Sequence, residues 1–109
     1  MKHIEIAGQQ FELEYTVNSA CEVEERSGKN ITDLLNREFS GVRWLLWGGL
    51  INRQPRLTVR DVGNLIGEHI RAGGDLVMIS EQCLEAMKEA GFFGKAAGEA
   101  NQEVLMPAT

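Results

Sequence analysis

The chain has 109 residues, of which 43% are hydrophobic and 25% charged, a balance that suits one globular domain and excludes disorder of the whole chain. Its formal net charge of −5 speaks against a nucleic-acid binder, which needs a basic face to displace counterions from phosphates; Arg53, Arg56 and Arg60 are the nearest thing to a cluster and read as solvated surface. The longest uncharged apolar stretch, Trp44 to Asn52, is far short of the roughly 20 residues a membrane span needs.

The N-terminus reads as a β-hairpin. Ile4 and Ile6 alternate with His3 and Glu5, and Phe11, Leu13 and Tyr15 alternate with Glu12 and Glu14, on either side of a turn at Ala7-Gly8-Gln9-Gln10 where Gly8 supplies a positive φ. A lone hairpin is marginal in water, so its apolar face must pack on helices or pair with another strand. This alternating segment lacks the continuous apolar run of a signal peptide, and the expected location is the cytoplasm.

Helical periodicity follows. Asn18 or Ser19 caps a helix from Ala20 to about Ser27, with Ser19 and Glu22 at capping-box spacing and Gly28 as its stop. Thr32 or Asn30 caps a short helix from Asp33 to Glu38. Ser40 caps the most apolar helix, Gly41 to about Asn52, which is greasy on nearly every side and so must be buried on nearly every side or meet a partner. Pro55 breaks the chain before a fourth helix capped by Thr58 with Asp61; Val59, Val62, Leu65, Ile66, His69 and Ile70 have the 3–4 spacing of a core face. Ala72-Gly73-Gly74 ends it, and Asp75 opens a fifth helix whose stripe is Leu76, Ile79, Cys83, Met87 and Ala90. The predicted architecture is α+β: an N-terminal hairpin and a bundle of four to five short helices in one domain over residues 1–92, with a flexible tail over 93–109.

The chain's ionisable residues suggest no catalytic constellation. His3 and His69 are the only histidines, and neither has a thiol or carboxylate at metal-ligand spacing. Cys21 and Cys83, reduced in a cytoplasm, read as small core hydrophobes. Glu81, Glu85 and Glu89 make a wet helix face. Neither glycine pair has the Lys and Ser/Thr of a phosphate loop. No enzyme, cofactor or metal is expected, which leaves interaction. Trp44, Trp47 and Ile51 form a candidate contact face, since tryptophan is a favoured interface anchor; the alternative is that both tryptophans fill the core. Phe92 and Phe93 either join a contact surface or tuck back onto the core, and the hairpin's free edge offers a second place for a neighbour.

Three segments carry a family resemblance. They are Asn18-Ser19-Ala20-Cys21-Glu22-Val23-Glu24-Glu25-Arg26-Ser27-Gly28-Lys29, then Val42-Arg43-Trp44-Leu45-Leu46-Trp47-Gly48-Gly49-Leu50, then Leu57-Thr58-Val59-Arg60-Asp61-Val62-Gly63. In order and spacing, over about Phe11 to Ala90, this resembles the tail assembly chaperones of long-tailed bacteriophages and gene transfer agents. It departs at Ser19, where Ala is commoner, and at Asp61, where Glu is commoner; both residues still suit a helix start. The resemblance implies a protein of the host cytoplasm that binds the tape measure protein and the tail tube protein, keeps the former soluble during tube assembly, and is absent from the finished virion. It also implies, in many members, a longer frameshifted form; a homo-oligomer, by contrast, is an expectation from the free hairpin edge, which can extend a sheet in a second copy. Two other classes compete. A structural tail or head–tail connector component is one, against which a single hairpin supplies few strands. A small DNA-binding regulator using the fourth and fifth helices is the other, against which the charge weighs.

Overall fold

The computed structural model describes residues 2–94. It is an α+β fold of a two-stranded antiparallel hairpin, β1 (Lys2–Ile6) and β2 (Gln9–Leu13), followed by five helices: α1 (Val17–Ser27), α2 (Ile31–Leu35), α3 (Phe39–Leu50), α4 (Val59–Arg71) and α5 (Leu76–Glu89). Ile4 pairs with Phe11 and Ile6 with Gln9, so the turn is the two residues Ala7 and Gly8, at φ 53° and 78°, and not the four expected. Two positive φ values match the twist of the flanking strands. The period-two side chains Ile4, Ile6, Phe11 and Leu13 are all buried, with β2 lying on α3 and β1 on α4 and α5.

Three helix starts differ from expectation. Thr16, not Asn18 or Ser19, caps α1: its Oγ1 accepts the Ser19 N–H at 3.1 Å, and Ser19 Oγ accepts the Thr16 N–H at 2.9 Å. Ser19 is therefore the third helical residue, buried under the cap, and Val17 joins the helix. α3 begins at Phe39, with Glu38 in the cap position and no side-chain cap bond; Ser40 is already inside it. Asn30 caps α2, accepting the Asp33 N–H at 2.8 Å, so that helix runs over Ile31–Leu35 and not from Asp33 to Glu38. The other two starts are as read. Thr58 and Asp61 exchange capping-box bonds of 3.0 Å, which hold the Asp61 carboxyl below its usual range, and Asp75 accepts the Val77 N–H.

α3 is the centre. Eight of its residues are buried, and α1, α2, α4, α5 and β2 all pack on it. Its glycines make that crowding possible: a Cβ built at Gly48 would lie 2.5 Å from Val23 Cγ2, and one at Gly49 2.7 Å from Tyr15 Cζ. The Gly49 carbonyl also accepts the Glu14 N–H at 2.9 Å, tying the end of the hairpin to the helix. α4 and α5 pack on α3 and β1. No helix among the described residues is long and apolar enough to cross a membrane. The expected tail falls mostly on residues 95–109, outside the described residues; Phe93, assigned to it, is partly buried against the core.

Candidate functional site

The five residues proposed from sequence as contacts separate into two places. Trp47 belongs to the core: it is 4% exposed, its indole N–H donates to the Leu57 carbonyl at 2.9 Å, and the Arg26 guanidinium lies 5.6 Å over its ring. Trp44 stands edge-on to it, with centroids 5.8 Å apart and planes at 89°. Trp44 and Ile51 are partly buried against the same core. These three residues close the junction of α3 with its neighbours and leave little free surface. Phe92 and Phe93 lie elsewhere, on one wall of an apolar groove of about 600 Å³ that α1, α2 and the end of α5 enclose.

Local sequence builds each wall. The Thr16 cap starts α1 one turn earlier than expected, so Val17, Ala20, Cys21 and Glu24 line up at helical spacing along the groove. Gly28, at φ 72°, ends α1 in the left-handed region. The chain then turns into α2, where Glu24 Oε2 accepts the Ile31 N–H at 3.1 Å and clasps the two helices together. Ile31, Thr32 and Leu35 of α2 form the second wall. At the far side Gly91, at φ 85°, reverses the chain after α5, with the Phe92 N–H bonded to the Met87 carbonyl and the Gly91 N–H to the Lys88 carbonyl, both at 3.0 Å. That Schellman turn sets Phe92 edge-on to Tyr15, centroids 5.9 Å apart.

Val17 is 73% exposed and Leu35 39% exposed at the mouth of this groove. Neither was singled out from the sequence. A lone apolar residue at a helix end gives no pattern, and which of them stays wet is decided only when α1, α2 and α5 meet.

A second cleft, of about 560 Å³, lies between the hairpin and the α4–α5 connection. His3, Glu5, Glu68, His69 and Gln82 line it, and the Nε2 of His69 is buried without a hydrogen-bond partner among the described residues. That ring presses on Gly74, where a Cβ would lie 2.2 Å from Nε2, so His69 fills space beneath the α4–α5 connection. No group of three His, Cys, Asp or Glu among the described residues is arranged to hold a metal. Cys83, next to Tyr15 in the core, has its thiol pushed up to about 12 by burial, which keeps it protonated and poorly nucleophilic at neutral pH.

What this arrangement can do is cover an apolar segment. Comparison of the chain with protein-family models, with curated proteins and with solved structures returns no match.

Proposed function

We propose that this chain is a tail assembly chaperone of a bacteriophage or gene transfer agent, which holds an apolar segment of the tape measure protein in the groove of α1, α2 and the α5 end and performs no catalysis. The observation that carries the reading is the exposure of Val17 and Leu35 at the mouth of a groove whose walls are already apolar. Covering both side chains would return roughly 2 kcal/mol at the usual area coefficient, before the cost of ordering the partner. A hold that weak per site suits a protein that must let go as the tube grows.

The sequence resemblance supports the same reading. Of its three segments, the first supplies Ala20, Cys21 and Glu24 to the groove wall, and the second is the central helix on which that wall is mounted. In this reading the protein works in the host cytoplasm, also meets the tail tube protein, and leaves before the virion is complete.

The test is co-expression with the cognate tape measure protein. The wild-type chain should raise the soluble fraction of that partner. The double variant Val17→Glu with Leu35→Glu should lose the effect while keeping its circular dichroism, since both positions are at the surface. No gain in solubility with the wild type would sink the chaperone reading, and finding the protein by mass spectrometry in purified particles would favour a structural component.

A further inference from the structure

We propose that the surface shared by the start of α3 and the outer side of α4 is a second docking site, one that takes an acidic amphipathic helix of another polypeptide. Phe39 is 63% exposed and Ile70 40% exposed. Between the two helices a shallow pocket of about 290 Å³ is lined by Phe39, Ser40, Arg43, Gly63 and Ile66, room for one apolar anchor. Singly exposed apolar side chains are common; what sets Phe39 apart is the concave pocket it lines with Ile66.

The charges around that pocket choose the partner. In a chain of net charge −5, the ion pairs among the described residues engage Lys2, His3, Arg26 and Arg53, on the hairpin, α1 and the segment after α3. Arg43, Arg60 and Arg71 are exposed and have no carboxylate within 4.0 Å among those residues. Helical spacing puts Arg60, Gly63, Gly67 and Arg71 along one stripe of α4, with Ile70 at its border. The Arg43 arm lies over Gly63, its Cδ 3.3 Å from where a Cβ would be, and an Arg71 nitrogen lies 3.5 Å from the same point at Gly67. Long guanidinium arms covering bare backbone can swing aside. An incoming helix would close on the glycines, place an apolar residue by Phe39, and meet the freed guanidiniums with Asp or Glu, the groups their planar forks bind best. Among the described residues, exposed carboxylates stand nearby as well: Glu38 beside Phe39 at the start of α3, and Asp61 and Glu68 on α4, which helical spacing sets to the other side of the Arg60–Arg71 stripe from Gly63. Duplex nucleic acid offers phosphate but nothing to cover Phe39 and Ile70, so a polypeptide fits better.

This inference does not depend on the groove or on the chaperone reading. It is tested on the full chain by fluorescence anisotropy with two labelled synthetic helices that share a leucine face and differ in their flanks, glutamate in one and lysine in the other. The glutamate helix should bind about ten-fold tighter and weaken as salt is raised. Arg43→Glu with Arg71→Glu should reverse the preference, and Ile70→Ser should weaken the glutamate helix by a similar factor. Val77→Ser, an exposed apolar position on α5, should change neither. Equal binding of the two helices overturns the proposal. So does a charge reversal that leaves the preference intact, displacement of the peptide by a duplex of DNA, or sedimentation showing that a second copy of this chain already fills the surface.

Discussion

The Tyr15 hydroxyl, shut in beneath Phe92, donates to the Leu45 carbonyl on α3. Burial raises its pKa well above the ordinary phenol value, and burial likewise pushes the Cys83 thiol up to about 12. Both shifts have one sign. Once pH passes the ordinary values, about 8.5 for a thiol and about 10 for a phenol, the unfolded chain releases protons that the native chain keeps. Stability is therefore fully present below those values and falls as pH rises toward the folded ones. Melting temperature measured across pH should decline above about pH 9, and Cys83→Ala should delay that decline. Tyr15→Phe should cost about 1 kcal/mol at neutral pH, the worth of a typical buried hydrogen bond. The two cysteines should also separate chemically. Cys21 is exposed and Cys83 buried, so a disulfide reagent such as dithionitrobenzoate should titrate one thiol quickly and the second only as fast as the protein unfolds. Two fast thiols would contradict the packing of α5.

Among the elements, α4 and α3 together make glycine substitution a signed test. Alanine normally gains about 1 kcal/mol over glycine inside a helix. At Gly67, where only the Arg71 arm is near, Gly67→Ala should raise stability by about 0.5–1 kcal/mol. At Gly41 a Cβ would lie 2.0 Å from the Leu34 carbonyl oxygen, which is backbone and has no rotamer to escape into. Gly41→Ala should therefore cost more than about 3 kcal/mol despite the propensity gain; urea unfolding of the two variants reads both signs. The same elements explain which caps were legible. Thr58 and Asp75 stand directly before strong apolar periodicity, so they could be read. Thr16 precedes Val17, which looks like a continuing strand, and its capping-box partner is a serine and not the usual Glu, so sequence pattern favours Ser19 with Glu22 instead. Serine favours the cap position, which makes Ser40 the expected cap, yet the helix starts at Phe39, two residues before the expected Gly41. The hairpin follows from periodicity alone, and so do the α4 and α5 stripes except at their last members, Ile70 and Ala90, which the spacing places inside and which lie exposed at the helix ends. The groove does not follow from periodicity, because its walls come from segments far apart in the chain; of its residues, sequence pattern points only to Phe92 and Phe93 as contacts.

For the whole molecule, α3 is the element on which most others depend, since α1, α2, α4, α5 and β2 pack on it. Its amides should exchange with solvent only through global unfolding, whereas α2, a single short helix, should open at far lower free energy. Hydrogen exchange read by mass spectrometry checks this ordering, and an α3 that exchanges as readily as α2 would contradict its central place. The groove is carried by α1, α2 and the end of α5, and the cationic surface by α3 and α4; α1 and α2 pack on α3 and on each other, while α4 packs on α3 and β1. Both surfaces rest on α3, so combining variants from the two measures any coupling that passes through that helix. One detail of the groove has a practical use. Its wall includes Cys21, the exposed cysteine of the pair. A polarity-sensitive dye coupled through maleimide would attach there and spare the buried sulfur, so the native chain carries its own address for a label that brightens whenever something greasy settles beside it.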